Sequence, residues 1–289
     1  MAQSRRFVQL DVFADRPGAG NALAVVIDSD GIDTAAMQAF ANWTNLSETT
    51  FLLPPTRPEA SYRVRIFTPR QELPFAGHPS VGSAHAALEA GLAVADHGHL
   101  VQECAAGLLP MRVEGEGATR RIFVRAPAAR GVDEPVAAAT WADVLDALRV
   151  GTLPPALISN GPRWAIVELA DEDAVRGMQP DFAAIARLTE ATAAVGLAVF
   201  AHSANTQYQM VVRAFCPADG IPEDPVTGSA NAAIAAFLQK NQALRARRYT
   251  ASQGREIGRD GRVQVEVDNL RGVWIGGQTQ TVINGTLDW

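Results

Sequence analysis

Cysteine is scarce in this sequence: there are two among 289 residues, Cys104 and Cys216. Neither belongs to a Cys-x-x-Cys pair or to a Cys/His spacing that would hold zinc. No disulfide framework is indicated either, so a reducing, cytoplasmic setting fits. Basic excess is also lacking. The formal net charge is -6, which speaks against a general affinity for nucleic acid, because that needs basic patches. The one basic cluster, Arg245, Arg247 and Arg248, reads as a solvated turn. No apolar stretch approaches the roughly 18 residues of a membrane span. The start, Met1 to Arg6, leads into a strand-like run rather than the apolar region of a signal peptide. A P-loop pattern is missing, and no G-x-G-x-x-G opens a helix after a strand, so nucleotide and dinucleotide binding are unsupported. Gly82-Ser83 and Gly228-Ser229 are not nucleophile elbows, and no Ser-His-Asp order can be defended. The expectation is a protein without cofactor or metal and without nucleic-acid or membrane partners.

What is present is ordinary in amount and unusual in arrangement. Hydrophobic residues make up 47% and charged residues 19%, the balance of a soluble globular protein. At about 100–200 residues per domain, the length suggests two domains. A long-period repeat supports this. His78-Pro79-Ser80-Val81-Gly82-Ser83-Ala84-His85-Ala86-Ala87 reads against Asp224-Pro225-Val226-Thr227-Gly228-Ser229-Ala230-Asn231-Ala232-Ala233, an offset of 146 residues (224 − 78). Each copy follows a strand-like run ending in Phe-x-Pro, Phe67-Thr68-Pro69 and Phe215-Cys216-Pro217. Two copies half a chain apart point to a duplicated domain.

Each copy reads as a helix start. Asp224 suits an N-cap, and Pro79 and Pro225 suit the first helical position. Gly82, Ser83, Gly228 and Ser229 would keep the first turn small enough for a ligand to approach its N–H groups. Gly91 suits a C-terminal stop. The residues behind each start are Ala-rich and apolar on nearly all sides, the pattern of a buried helix. The wrapping around such helices reads as sheet. Phe7 to Val12, Tyr62 to Phe67, Arg121 to Arg125 and Arg262 to Val267 alternate with period two, and Ala22 to Ile27, Trp164 to Leu169 and Gln209 to Phe215 are further strand candidates. Other helices are expected from Thr34 to Asn45 with Asp33 as cap, from Thr140 to Val150 with a capping-box-like Thr140 and Asp143, and from Asp181 to Thr189. The polar stretch Glu114 to Ala118 is the expected interdomain link. That places a first domain at 1–117 and a second at 118–274, with strands from about 275 to 289 returning to the first. The fold class is α+β: two similar domains, each a central helix wrapped by sheet.

Helix N-termini attract anions. Two such ends facing one cleft would bind a small carboxylate-bearing substrate. His78 and Asp224 occupy matching positions in the two copies and are candidates for substrate contact, with simple helix capping as the plain alternative. Ser229 offers a hydroxyl and an N–H. His85 reads as buried and hydrogen-bonded. Glu48 sits where the first helix gives way to a strand. In a partly apolar cleft its pKa would rise toward neutrality, as suits a general acid/base. By spacing alone, a surface Glu at a helix end is the simpler reading.

These residues carry a resemblance. Gly20-Asn21-Ala22-Leu23-Ala24-Val25, Asn45-Leu46-Ser47-Glu48-Thr49-Thr50-Phe51, Phe67-Thr68-Pro69, Glu72-Leu73-Pro74-Phe75-Ala76-Gly77-His78-Pro79, Asn160-Gly161-Pro162-Arg163 and Glu223-Asp224-Pro225-Val226-Thr227-Gly228-Ser229-Ala230 are similar to blocks of the phenazine-biosynthesis PhzF-like family, in the same order. Gln253-Gly254 with Glu256-Ile257-Gly258 fits its C-terminal region. The resemblance implies the diaminopimelate-epimerase fold, two pseudo-symmetric domains that are each a curled, mostly antiparallel sheet around a central helix, and a cofactor-independent isomerase. Glu48 would be the catalytic carboxylate, assisted by His78 and Asp224, with Ser47, Gly77, Gly228, Ser229 and Gly254 binding substrate. A homodimer is a further expectation that the family carries. Related racemases use two thiols, and neither cysteine falls in a matching turn. A thiol-independent epimerase or racemase of an amino or hydroxy acid, and a non-catalytic small-molecule-binding relative, remain the alternatives.

Overall fold

The computed structural model describes residues 4–132 and 137–289. In chain order the elements are β1 (Ser4–Val12), β2 (Asn21–Val26), α1 (Thr34–Thr44), β3 (Glu48–Leu53), β4 (Tyr62–Phe67), β5 (Glu72–Leu73), α2 (Gly77–Glu89), β6 (His99–Cys104), β7 (Gly107–Glu114) and β8 (Arg121–Arg125). There follow β9 (Arg130–Val132), α3 (Ala138–Leu145), β10 (Ala156–Ser159), β11 (Arg163–Glu168), α4 (Glu172–Arg176), α5 (Phe182–Thr192), β12 (Gly196–His202), β13 (Met210–Cys216) and β14 (Ile221–Asp224). The chain closes with α6 (Gly228–Lys240), β15 (Arg248–Gln253), β16 (Gly261–Val267), β17 (Val273–Gly277) and β18 (Thr279–Asp288). Among the described residues this is a mixed, sheet-dominated α+β fold with six α-helices. No helix among them is long and apolar enough to cross a membrane.

The chain divides into two compact units, Met1–Arg125 with Gly276–Trp289, and Ala126–Ile275. The Gly-rich stretch after Glu114 does not separate them. It is the hairpin turn between β7 and β8, whose antiparallel register runs from Met111↔Val124 to Glu114↔Arg121, and this ladder keeps residues up to Arg125 in the first unit.

In the first unit β1 lies between β18 and β2, antiparallel to both. β2 runs parallel to β3, and β3 antiparallel to β4. β4 then pairs with β5 at its C-terminal end and with β6 at its start. Helix α2 packs against β1, β2, β3, β4, β8 and β18. The all-round apolar sequence of α2 is explained by this surround: from Gly77 to Ala87 every residue is buried. Gly82 is needed for the close approach, since a Cβ there would lie 2.5 Å from Leu23 Cδ2 and 2.9 Å from Val12 Cγ2. Gly91 ends the helix with φ 69°, and the Leu92 N–H reaches Ala87 C=O at 2.9 Å, the Schellman arrangement. On the other side of the sheet α1 buries Met37, Phe40 and Ala41 against Val26, Phe51 and Phe67. Each such aromatic burial contributes about 1.5–3 kcal/mol.

In the second unit β9, β10 and β11 pair antiparallel in succession, β11 runs parallel to β12, and β12 antiparallel to β13. β14 and β15 succeed one another along the remaining edge of β13, with Ala214↔Asp224 and Val212↔Gln253. Helix α6 packs against β10, β11, β12 and β16. Helices α3, α4 and α5 cover the other face, where Val144, Val175, Ile185 and Leu188 meet Leu197, Val199 and Phe215.

Several local expectations are corrected. The two motif copies do not start their helices at the same place. α2 begins at Gly77, so Pro79 is its third residue, and Gly82 and Ser83 lie beyond the first turn. Proline is tolerated there because first-turn N–H groups have no intrahelical acceptor. α6 begins only at Gly228, with Thr227 as N-cap. Asp224 is therefore not a cap but the last residue of β14, held extended by pairing with Ala214 and by the proline that follows it. Helix α3 starts at Ala138 behind Ala137 without a side-chain cap bond, so Thr140 and Asp143 do not form a capping box. The alanines ahead of Thr140 carry the helix back past it.

Candidate active site

Glu48 is delivered by a sharp change of backbone direction. Asp33 caps α1 by accepting from the Ala36 N–H, and Asn45 ends it in the left-handed region, φ 53°. Three residues later Glu48 opens β3 opposite Leu23 of β2. Behind it Thr49 and Thr50 are buried. Thr44 and Thr49 hydroxyls meet at 2.9 Å, and Ser83 Oγ donates to Thr50 Oγ1 at 3.0 Å. The latter bond ties β3 to α2, the helix that carries His78.

The start of α2 is held from the sheet. Gln102 Nε2 donates to Ser80 Oγ at 2.9 Å, and Tyr62 Oη donates to Gln102 Oε1 at 2.9 Å. The cap residue Ala76 offers no side-chain bond to the first turn, the end of the helix at which the dipole favours an anion. His78 Nε2 lies 3.3 Å from Glu48 Oε2, with side-chain exposures of 6% and 16%. Ser47 Oγ donates to Asn21 Oδ1 at 3.3 Å. Burial pushes the Glu48 carboxyl up from its ordinary 4.5 to about 7, against the opposing influence of the neighbouring Ser47 side chain. A carboxyl of that pKa is present in both protonation states near neutral pH, which suits it to take and return a proton.

The second unit holds the other group of sequence candidates. Asp224 is buried, and its Oδ2 accepts from Thr227 Oγ1 at 2.5 Å. Its neighbour Glu223 is clamped by Arg213, Nε to Oε1 at 2.9 Å and Nη2 to Oε2 at 2.8 Å. Gly228 and Ser229 are the first two residues of α6. Trp164 Nε1 donates to Ser229 Oγ at 3.1 Å, and Asn160 Nδ2 to Ser229 C=O at 2.8 Å. Gly254 has φ +94°, and a Cβ there would lie 2.5 Å from Pro225 C=O, so the Gln253-Gly254 turn presses on the segment after Asp224.

The structure thus brings Glu48, His78, Ser47 and Gly77 into one neighbourhood of the first unit. It places Asp224, Gly228, Ser229 and Gly254 around one helix start of the second. Sequence reasoning assigned no task to Asn21, Asn160, Trp164, Thr227 or Gln253, although most of them stand inside the quoted blocks. Their signal was buried polarity, which has no local sequence mark. Among the described residues no group of three or more His, Cys, Asp or Glu is arranged to hold a metal ion.

With this geometry in view, the comparison with known proteins is decisive for the family. The description "Phenazine biosynthesis-like protein", PhzC-PhzF, matches residues 10–285. The chain belongs to this family. Antisense-enhancing sequence 1 of Schizosaccharomyces pombe is 34% identical over 96% of this chain and 97% of its own. Trans-2,3-dihydro-3-hydroxyanthranilate isomerase of Pseudomonas fluorescens is 33% identical over 97% of this chain and 98% of its own. Among solved structures, the Bacillus anthracis phenazine biosynthesis protein of the PhzF family is 26% identical and superposes with a TM-score of 0.82, covering 99% of both chains. Further PhzC-PhzF relatives also bear the name isomerase.

Proposed function

We propose that this PhzC-PhzF family member is a cofactor-independent isomerase that moves a proton on a small carboxylic-acid substrate, with Glu48 as general acid/base. The observation that carries this reading is the Glu48 carboxyl, held at about 7 by burial and 3.3 Å from His78 Nε2 at the start of α2. In the reaction a C–H bond breaks at one carbon and its proton passes to the Glu48 carboxylate. The electron pair moves along the unsaturated frame of the substrate. A new C–H bond then forms at another carbon on the same face, and Glu48 ends in the state in which it began. In the first unit the first turn of α2 with Gly77 binds substrate carboxylate and developing charge, and Ser47 and His78 orient the molecule. In the second unit Asp224, Gly228, Ser229 and Gly254 are the proposed substrate contacts.

The family match over nearly the whole chain supports this reading. The sequence repeat and the like order of pairings in the two units support their descent from one duplicated, pseudo-symmetric fold. In that fold each sheet curls around its own helix.

The first compound to try is trans-2,3-dihydro-3-hydroxyanthranilate, the substrate that names the Pseudomonas fluorescens relative, followed by other unsaturated cyclic carboxylic acids. Glu48→Gln is expected to reduce the rate by about 10²–10⁴-fold with the fold intact. With substrate deuterated at the donor carbon, part of the label should arrive at the acceptor carbon, because one base carries it. The rate of proton abstraction should rise through pH 7 as the carboxylate forms. A hydrolysed or oxidised product, or an undiminished rate in Glu48→Gln, would overturn the assignment.

A further inference from the structure

Four buried polar residues, Asp224, Thr227, Asn231 and Gln253, form a chain with one consistent hydrogen-bond direction, and backbone groups set that direction. Thr227 C=O can only accept, so the Asn231 atom facing it at 2.9 Å is the amide nitrogen Nδ2. Thr227 N–H can only donate, so the Gln253 atom facing it at 3.0 Å is Oε1. Asn231 Nδ2 donates to that same oxygen at 3.1 Å. The other end of the Gln253 amide is then Nε2, which donates to Asp224 C=O at 3.1 Å and to Thr227 Oγ1 at 2.9 Å. Gln253 can only donate to the Thr227 hydroxyl, which leaves the hydroxyl's own proton for Asp224 Oδ2 at 2.5 Å. Turning the Gln253 amide over would set donor against donor at Thr227 N–H, and turning the Asn231 amide over would set acceptor against acceptor at Thr227 C=O, in a buried network where an unmade bond costs about 1–3 kcal/mol. On the neighbouring strand β13, Arg213 is clamped by Glu223. Its Nη1 donates to Met178 C=O at 2.6 Å.

We propose that Gln253 and Thr227 are positioning residues that present Asp224 as a hydrogen-bond-accepting carboxylate rather than as a proton donor. Gln253 orients the Thr227 hydroxyl, and the hydroxyl donates to Asp224, a charge-assisted bond that favours the ionised carboxyl. The proposal rests on the reading of Asp224 as a substrate contact.

The test is isotope-edited infrared spectroscopy of the full chain at pH 7 with ¹³C-labelled aspartate, using the difference from Asp224→Asn to isolate the Asp224 band. The expected wild-type signal is that of a carboxylate. Thr227→Val, which removes the hydroxyl at nearly constant shape, should shift that band. Thr227→Ser should restore it, and Gln253→Met should shift it in the same sense as Thr227→Val. A protonated C=O band in the wild type would overturn the proposal, as would a carboxylate band unmoved in both Thr227→Val and Gln253→Met. If Thr227→Val fails to fold, the wild-type band and Gln253→Met decide the matter. Full turnover by Asp224→Asn would instead end the reading of Asp224 as a substrate contact and leave the spectroscopic result standing. An unmoved band alongside impaired turnover in Asp224→Asn would end the positioning role alone.

Discussion

Glu48 and His78 meet at 3.3 Å, Oε2 to Nε2, although one opens a strand and the other lies in the first turn of a helix. The distance is set by groups that touch neither residue. The Ser83–Thr50 hydroxyl bond fastens α2 to β3, and Gly82 lets α2 approach the β1–β2 hairpin closely enough to form it.

The carboxyl of Glu48 should leave a mark on stability as well as on rate. Its pKa is 4.5 when exposed and about 7 in the folded protein. Below 4.5 it is protonated in both states and carries no penalty. As pH rises from 4.5 to 7 the unfolded chain ionises first, and stability is lost; above 7 the loss is complete. At about 1.4 kcal/mol per pH unit this amounts to roughly 3 kcal/mol. Glu48→Gln lacks the titration, so its stability relative to wild type should grow by roughly 2–3 kcal/mol between pH 4.5 and 8 in urea unfolding. A difference that does not change with pH would show that the carboxyl is not desolvated.

His85 should produce the opposite slope over an overlapping window. Burial lowers its pKa from 6.5 to about 4, with Glu89 opposing and Arg120 assisting, and its Nε2 lies 3.1 Å from Thr281 Oγ1. The neutral ring is stabilising above pH 6.5, and that contribution is lost as pH falls toward 4, again by roughly 3 kcal/mol. His85→Gln should flatten the acid limb of a plot of melting temperature against pH. Because Glu48 and His85 act in opposite senses between about 4.5 and 6.5, wild-type stability hides both, and only the single variants expose them. An acid limb as steep in His85→Gln as in wild type would rule out the histidine.

Two glycines separate backbone strain from crowding. Gly254 has φ +94° and places a Cβ 2.5 Å from Pro225 C=O, whereas Gly258 has φ +77° and nothing within 4 Å. Gly258→Ala should cost about 1–2 kcal/mol from the left-handed backbone alone. Gly254→Ala should cost roughly 2–4 kcal/mol, because crowding adds to that strain. It should also disturb Asp224 through the adjacent Gln253. Equal losses in the two variants, measured by denaturant unfolding, would show that the Gly254 turn does not press on the Asp224 segment.

Local chemistry in the sequence determined a good deal of this protein. Period-two alternation marked β1, β4, β8 and β16, and Asp33 before a helical stretch marked α1, because each of those signals acts between residues a few positions apart. The Ala-rich, all-round apolar runs identified α2 and α6 as buried helices, and the ordered blocks around Glu48, His78 and Asp224 carried the family. Only the tertiary structure decided where the two matching motifs begin their helices. The Asp224 copy is held extended by β13, a strand that no residue inside the motif specifies. By spacing alone the sequence favoured a surface residue at Glu48 over a proton carrier. Its elevated pKa follows from what surrounds it in space, and burial is a property of packing rather than of neighbours along the chain. The same holds for Gln253, whose amide is oriented by Thr227 and Asn231, 26 and 22 residues away. A buried hydrogen bond between groups so far apart exists only once the chain has folded to bring them together.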